Sequence, residues 1–266
     1  MEEIRVESWA ELQDCLYAGS WHEELQRHRS DFCFRGENDA RNELTTSLQR
    51  LGGDYASLEQ HLLRSFRKYA PRREVPVDST WNWLALAKHH SLPTRLLDWS
   101  YSPQVALHFV TANRERFHRD GAVWLVDFVA AREQLPAPLR ELLAQEGGNT
   151  FTAEMLGEAA RELRELDRLG DDFAVFFEPP SLDDRIVNQY ALFSLMPDPA
   201  ARIDHWLERH PELARRLIIP ARLKWEVRDK LDQANVTERV LFPGLDGLSA
   251  WLTRYYSPRR RRVAER

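Results

Sequence analysis

Apolar and polar positions along the chain follow two periods, one typical of strands and one typical of helices. Short segments that alternate or are apolar throughout predict strands, and longer segments with apolar residues three and four positions apart predict helices. The predicted strands are residues 32–37, 122–128, 173–177, 217–219 and the apolar end of 184–195. The predicted helices are residues 55–70, 80–90, 103–117, 137–170, 200–210, 221–234 and a final helix through Tyr256. This pattern predicts an α+β fold with a mixed central sheet of about five or six strands flanked by helices.

Two helical segments carry more specific expectations. Residues 7–29 predict a helix, a turn at Gly19 and a second short helix. The segment 55–70 has an apolar stripe at helical spacing, which predicts the face that packs on the core. The stripe consists of Leu58, Leu62, Phe66 and Tyr69.

The first predicted strand separates its side chains by chemistry. Because successive side chains of a strand point to opposite faces, Phe32 and Phe34 share one face and Arg35 lies on the other. Gly36 comes next and permits a sharp turn or the close approach of a ligand. Arg35 and Gly36 are therefore candidate binding residues at a strand end.

The stretch His89–Pro103 interleaves polar and apolar residues most closely. After two histidines and a Leu-Pro turn, Arg95, Asp98 and Ser100 alternate with leucines and a tryptophan. Ser102 followed by proline is a typical helix start, with a hydroxyl N-cap and proline at the first helical position. The stretch predicts a strand or extended turn that leads into a buried helix, with a polar site at the junction.

Composition indicates a globular protein. Of the 266 residues, 43% are hydrophobic and 30% are charged, and no apolar run approaches the roughly 18 residues that a membrane span requires. We expect one domain over residues 1–256 with a helical insertion near 137–170, followed by a basic tail at 257–266. The first residues have no features of a secretory signal, and only Cys15 and Cys33 are present, so we expect a cytoplasmic protein without partners in the membrane.

Charge and motifs exclude several classes of function. A net charge of −5 argues against a surface devoted entirely to nucleic acid. The basic run Arg259–Arg262 is either a solvated tail or an arm that contacts phosphate. The sequence has no nucleophile elbow, P-loop, GxGxxG or His-Glu-x-x-His motif, and no group with the spacing of metal ligands, so no metal is predicted.

Four segments resemble the FRG domain, a bacterial and phage family named for a Phe-Arg-Gly motif. They are Phe34–Glu37, the longer block Ala87–Ser100 with Leu-Pro-Thr-Arg-Leu-Leu-Asp-Trp at its centre, Arg185–Gln189 and Leu241–Leu248. The resemblance spans about residues 30–255. The long block is far more specific than the three-residue motif.

Two positions depart from the family's pattern. Ser91 stands where the family usually has glycine, and Tyr190 follows a glutamine after which glycine is common. Both departures concern backbone freedom, so neither removes a candidate chemical group.

The resemblance implies a layout similar to that of ADP-ribosyltransferase-like folds. Those proteins carry an arginine or histidine on a first strand, a serine or tyrosine on a second strand that leads into a helix, and a glutamate or glutamine on a later strand. Arg35, Ser100 and Gln189 occupy these places in the same order here. The resemblance thus implies NAD as a substrate, and an effector that acts as a toxin or in phage defence. Fold-level analogy does not establish activity.

The charged candidates each have two interpretations. Arg35 presents a planar fork suited to a pyrophosphate, or it forms a buried ion pair with Asp98 or Glu37. Arg95 and Asp98 either form structural pairs, or Asp98 orients a histidine or accepts a hydrogen bond from a ribose hydroxyl. Both are included among the cofactor-binding candidates with Ser100.

The histidine and aromatic candidates also each have two interpretations. His89 or His90 acts as a general acid and base or binds phosphate, or the pair caps the end of its helix. Because adjacent helical side chains diverge by about 100°, the two histidines do not share one metal. Trp99 and Tyr101 either stack on a nicotinamide or base, or pack in the core.

Catalysis would need a carboxylate that Gln189 does not supply. An amide hydrogen-bonds a ribose or an acceptor group but is not a charged base. The nearest carboxylates in the sequence are Glu178 and Asp184. The catalytic prediction therefore comprises Arg35, His90, Gln189 and Glu178, and it leaves open whether the protein turns a substrate over.

Three hypotheses of function follow. The first is an ADP-ribosyltransferase-like effector that takes NAD, modifies a protein or nucleic-acid acceptor and has a neutralising partner protein. The second is a non-catalytic module that binds nucleotide or nucleic acid, and the third is a metal-independent nuclease. All three require that Arg35, His90 and Gln189 converge on one cleft.

Overall fold

A computed structural model of the protein describes residues 1–75, 77–181 and 183–259. Within these residues the chain forms nine strands and thirteen helices, which confirms the predicted α+β class. The strands are β1 (Glu2–Arg5), β2 (Trp21–His22), β3 (Arg27–His28), β4 (Phe32–Glu37), β5 (Leu97–Ser100), β6 (Gly121–Asp127), β7 (Val175–Phe177), β8 (Ala191–Leu195) and β9 (Ala214–Ile219). The helices are α1 (Trp9–Tyr17), α2 (Tyr55–Tyr69), α3 (Thr80–His89), α4 (Pro103–Val110), α5 (Phe128–Ala131), α6 (Ala137–Glu146), α7 (Ala153–Ala159), α8 (Leu163–Asp167), α9 (Asp184–Asn188), α10 (Ile203–Arg209), α11 (Lys224–Gln233), α12 (Glu238–Leu241) and α13 (Leu245–Tyr255). Of the predicted basic tail, residues 260–266 lie outside the described part of the chain.

Seven strands form the central sheet, in the order β1-β9-β6-β4-β5-β8-β7. The edge pair β1 and β9 is parallel, and every other neighbouring pair is antiparallel. The sheet is mixed, as predicted, and it has one strand more than expected. The additional strand is β1, a charged edge strand with Ile4 as its one partly buried apolar residue, so its sequence has little strand pattern.

Two local predictions are wrong. The second short helix expected before residue 29 is a hairpin, in which β2 pairs with β3 and Trp21 lies opposite His28. The polar residues at the start of 184–195 form α9, a short helix capped by Asp183, before strand β8 begins. In both segments, turn and cap geometry decides the local structure, and periodicity carries little information about either.

One face of the sheet packs against α10 and α5. Its core contains Cys33, Trp99, Trp124, Phe176 and other apolar residues of alternating strand positions. The Trp206 side chain of α10 is fully buried against them. We call this side the tryptophan face.

The opposite face carries two groups of helices. Helices α1, α4 and α11 cover β4, β6 and β9, with Phe34, Val123 and Leu217 in the core between them. Helices α2, α3 and α6 to α8 cover β7 and β8, with Phe193 in their core. We call this side of the sheet the two-helix-group face.

The predicted helical segment 137–170 contains α6, α7 and α8. Their apolar residues, among them Leu139, Leu156 and Leu166, are buried against α3. The Trp81 indole of α3 donates to the Ala160 carbonyl oxygen at 2.7 Å. One side of each helix is buried and the charged side is exposed.

Helix α2 forms where predicted but buries a different face. Its buried residues are Glu59 and Leu63, with Phe66 partly buried beside them. Leu58 and Tyr69, expected to face the core, are exposed. The predicted stripe is therefore wrong at Leu58 and Tyr69 and holds at Phe66. The buried face includes Glu59, which pairs with Arg95, and an apolar pattern does not predict a buried carboxylate.

Strands β4 and β5 are joined by one residue pair, Phe34 opposite Ser100, whereas six pairs join β4 to β6. Helix α4 begins just after β5, with Ser102 as N-cap and Pro103 in its first turn, as predicted. It packs so closely on β4 that a Cβ at Gly36 would lie 1.8 Å from the Ala106 carbonyl oxygen. Among the described residues, no helix is both long and apolar enough to cross a membrane.

Candidate functional site

The Asp98 carboxylate lies at the opening between β4 and β5. Its side chain is 56% exposed, and its Oδ2 lies 2.7 Å from the Lys88 ammonium and 4.0 Å from Arg35 Nη1. Partial burial opposes ionisation, but Lys88 and Arg35 outweigh it and hold the pKa of the carboxyl below its usual range. Asp98 is therefore an ionised, accessible acceptor at neutral pH.

Arg35 reaches this opening from the tryptophan face. Its Nη1 donates to the Asp98 carbonyl oxygen at 2.7 Å, where a further strand hydrogen bond would otherwise lie. Its Nε donates to Glu37 Oε1 at 2.9 Å, and the other oxygen of Glu37 accepts from Asn42. Arg35 thus forms the ion pairs with Glu37 and Asp98 that the sequence offered as its structural role, and 18% of its side chain remains exposed.

Lys88 is a site residue that the sequence interpretation missed. It lies in the last turn of α3, and its side chain is 11% exposed. The Lys88–Asp98 pair connects this helix to β5. Its position within the Ala87–Ser100 block was the available clue, since a lysine at the end of an otherwise buried helix needs a carboxylate partner.

The two histidines at the end of α3 have different surroundings. His89 Nε2 forms an ion-pair contact with the Asp183 carboxylate. Burial lowers the pKa of His89, nearby Arg185 lowers it further, and Asp183 opposes the shift. His90 is exposed, and its ring packs edge-on against that of His89 with centroids 5.2 Å apart.

Helix α9 supplies the far wall of the opening. Asp183 caps it by accepting from the backbone N–H groups of Arg185 and Ile186 at 2.9 and 3.1 Å. The Arg185 guanidinium lies 4.9 Å from the centre of the Phe242 ring and is close enough to lower the pKa of both Asp98 and His89. Three cations, Arg35, Lys88 and Arg185, therefore surround one accessible carboxylate.

Ser100 and Gln189 meet at the end of this wall. Ser100 Oγ donates to the Gln189 carbonyl oxygen at 2.7 Å, and Gln189 Nε2 donates to the Leu241 carbonyl oxygen at 2.9 Å. The Gln189 amide nitrogen therefore anchors α9 to α12. We call the region bounded by Arg35, Lys88, Asp98 and α9 the Asp98 cleft.

Two predicted binding residues lie outside this cleft. Arg95 is only 4% exposed, and its guanidinium pairs with Glu59 and Asp167 at 2.6 Å each. Trp99 lies on the tryptophan face, where its Nε1 donates to Ser194 Oγ at 2.8 Å and its ring packs against Phe176. Both side chains are enclosed by protein, and a ligand role for them stays a prediction.

Glu178 and Tyr101 form a separate pair. Tyr101 packs with the core of the tryptophan face, opposite to Asp98, and its hydroxyl donates to Glu178 Oε1 at 2.8 Å. Burial raises the pKa of Tyr101 above its usual value, and Glu178 adds to the rise, so the phenol stays protonated. Asp184, the other carboxylate considered, is an exposed residue of α9.

Both departures from the family's glycines fall at left-handed backbone positions. Ser91, after the end of α3, has φ of 64°, and Tyr190, after α9, has φ of 51°. Gly36, by contrast, serves the close packing of α4 described above. Its role in the structure is helix contact, and a ligand role for it stays a prediction.

The structure thus brings Arg35 to Asp98, His89 to α9 and Ser100 to Gln189. It separates Glu178, Arg95 and Trp99 from them. The convergence of Arg35, His90 and Gln189 around one ligand stays a prediction.

Part of the site lies in a segment that is similar to a known family. Residues 30–119, which carry Arg35, Lys88 and Asp98, match the FRG domain. No curated protein and no solved structure matches the chain. The segment with Arg185 and Gln189 lies beyond the matched residues.

Proposed function

We propose that the Asp98 cleft, whose residues Arg35, Lys88 and Asp98 lie in the segment that matches the FRG domain, binds an NAD-type nucleotide and transfers its ADP-ribosyl group. The observation that carries the proposal is the ionised, half-exposed Asp98 carboxylate held between Lys88 and Arg35. A carboxylate alone accepts hydrogen bonds from ribose hydroxyls, and cations around it attract phosphate. A nucleotide presents both groups within one molecule.

The three cations of the cleft have two different roles: two of them position Asp98, and the third binds the ligand. Arg35 and Lys88 are already paired with carboxylates, so they fix the position of Asp98. Arg185 pairs with none of the described carboxylates within 4.0 Å and lies over Phe242, so its guanidinium is the group offered to a pyrophosphate. His89 and the exposed His90 stand beside it and supply further donors.

Transfer requires stabilisation of the positive charge that develops on the ribose as nicotinamide leaves with the electron pair of the glycosidic bond. Gln189 carries no charge, and Glu178 is bonded to Tyr101 on the other side of the sheet. Asp98 is the carboxylate positioned for this task. A nucleophile of the acceptor then bonds to the anomeric carbon and loses its proton.

The test measures binding and turnover separately. Isothermal titration with NAD and with ADP-ribose reports binding, and release of nicotinamide reports turnover. We expect Asp98→Asn to reduce binding about tenfold or more, because a charge-assisted hydrogen bond is lost, and to abolish release. Lys88→Gln, which removes the cation 2.7 Å from the Asp98 carboxylate, also weakens binding. Its control is Lys230→Gln, which removes a lysine of a solvent-exposed helical pair and leaves both measurements unchanged.

The outcomes distinguish the hypotheses. Binding without nicotinamide release supports a nucleotide-recognition module, which the uncharged Gln189 favours. No binding of either ligand by the wild-type protein, or equal binding by Asp98→Asn, contradicts the proposal.

A further inference from the structure

A second polar surface lies on α2, away from the Asp98 cleft. Residues 64–73 contain five arginines and lysines and no acidic residue, in a chain whose net charge is −5. Beside them, α2 and α8 enclose a groove of about 470 Å³. Its walls include Arg64 and Arg67 from α2 and Arg164 from α8, with Leu63, Thr80 and Leu163 among the residues that line it.

The carboxylates near this groove are occupied by protein partners. Glu162 Oε2 accepts from the Thr80 hydroxyl at 2.9 Å, and Glu165 accepts from the Arg161 backbone N–H at 2.7 Å. Asp167 is turned inward to Arg95. These bonds fix the positions of the carboxylates without removing their charge, and the residues that line the groove include three arginines, Arg64, Arg67 and Arg164, against one carboxylate, Glu162.

Several of the cations are exposed. Arg64, Lys68 and Arg164 are exposed, and none of them has a described carboxylate within 4.0 Å. Arg67 pairs with Asp78 at 3.0 Å, and Arg72 lies near enough to lower the pKa of the same carboxyl. Basic residues thus follow α2 from the groove to its C-terminal end.

An aromatic side chain stands within this surface. Tyr69 is 78% exposed, and the Lys68 ammonium lies 5.1 Å from its ring centre. An exposed aromatic ring among cations is the arrangement that stacks an unpaired base while the cations contact its phosphates.

The groove is also rigid. The buried Arg95 bonds to Glu59 of α2 and Asp167 of α8, so one guanidinium fixes the two walls to each other. The Thr80–Glu162 bond fixes α8 to the start of α3. A preformed surface loses little conformational entropy when a ligand binds.

From these observations we infer that the groove between α2 and α8, together with the end of α2 that carries Lys68 and Tyr69, binds single-stranded nucleic acid. The phosphates contact Arg64, Arg67 and Arg164, and a base stacks on Tyr69. This site is separate from the Asp98 cleft and does not depend on nucleotide transfer there.

The experiment measures fluorescence anisotropy of labelled 20-nucleotide poly(dT) and poly(U) with the full-length protein over a range of salt concentrations. We expect binding that weakens with salt. The double variant Arg64→Glu/Arg164→Glu lowers the affinity about tenfold or more and reduces the slope of log K against log salt by about 1.4, since each contact contributes about 0.7 for a single strand. The two oligomers distinguish DNA from RNA as the preferred ligand.

Matched variants separate this groove from other charged surfaces. Arg27→Glu/Arg140→Glu removes two exposed arginines elsewhere and leaves the affinity within about twofold, because neither lines the groove. Tyr69→Ala lowers affinity about tenfold through lost stacking, whereas Tyr256→Ala, equally exposed at 77% just after α13, has no effect. Asp98→Asn binds the oligonucleotides as the wild-type protein does.

Several results would overturn the inference. They are the absence of oligonucleotide binding, an equal loss in the two double variants, or equal affinity for poly-glutamate, which lacks bases. Loss of binding on replacing Arg259–Arg262 by serine, with full binding retained in Arg64→Glu/Arg164→Glu, would assign the activity to the tail. Circular dichroism melting of each variant verifies that it is folded.

Discussion

Arg95 and Asp98 lie three residues apart in the same block of sequence and have opposite environments. Arg95 is enclosed between α2 and α8, and its partner Glu59 is 1% exposed. Asp98 is 56% exposed and faces an opening between two strands. The first holds helices together, and the second presents a charge to solvent. The block from Ala87 to Ser100 therefore does not form one site, because Arg95 lies in the core and Asp98, three residues later, lies at the surface.

The largest expected effect is that of Arg95→Ala. The substitution leaves the Glu59 carboxylate buried without its partner, which costs about 3–5 kcal/mol of unfolding free energy. Urea denaturation followed by circular dichroism measures the loss, with Arg140→Ala on the exposed side of α6 as a control near zero. A loss below about 1 kcal/mol would show that the Arg95 network is not structural.

Gly36→Ala has the next largest expected effect. It tests whether the glycine of the Phe-Arg-Gly motif, like Arg95, has a structural role in packing. The added Cβ would lie 1.8 Å from the Ala106 carbonyl oxygen, so α4 must move, and we expect a loss of about 3 kcal/mol. Gly157→Ala in α7 is the control, because its Cβ meets nothing closer than 3.9 Å and gains helix propensity of about 0.5–1 kcal/mol. Equal melting temperatures for the two variants would contradict the close packing of α4 on β4.

Asp98→Asn has a small expected effect on stability. The side chain is half-exposed and asparagine still accepts from Lys88, so the change in unfolding free energy stays within about 1 kcal/mol. Urea denaturation of Asp98→Asn and of Arg95→Ala measures the difference between the two losses of unfolding free energy. If Asp98→Asn destabilised the protein as much as Arg95→Ala does, both ends of the block would be structural and the Asp98 cleft would lose its main support.

Ser91→Gly also has a small effect on stability, and it has the opposite sign. Ser91 has φ of 64°, a conformation that costs a non-glycine residue about 1 kcal/mol, so glycine raises the unfolding free energy by about that amount. Ser249→Gly within α13 lowers it by about 0.5 kcal/mol, since glycine is a poor helix former. Thermal melts of the two variants should shift in opposite directions, and a shared direction would be inconsistent with the left-handed turn.

Much of the fold could be predicted from sequence because most elements here have a strong period. The apolar run at β6 and the Ser-Pro start of α4 were both placed within a residue or two. Elements set by pairing or by turns were not predicted. Strand β1 is defined by its neighbour β9, and the hairpin β2–β3 by its turn, and neither is apparent in one segment's own pattern.

The candidate site was predicted less completely than the fold. Arg35, Asp98 and Ser100 came from the polar pattern, and the structure places Arg35 against Asp98. The pattern could not separate Arg95 from Asp98, because burial depends on α2 and α8, which are distant in sequence. Lys88 was missed for the same reason, since its role depends on which carboxylate lies opposite.

The single residue pair between β4 and β5 has a mechanical consequence. The central sheet consists of two parts, β1-β9-β6-β4 and β5-β8-β7, which are paired only at Phe34 and Ser100 among the described residues. We expect the backbone amide protons of β4 and β5 that face each other to exchange with deuterium faster than those between the well-paired β6 and β9. Transient separation of β4 from β5 would widen the space around Arg35 while both parts of the sheet stay folded.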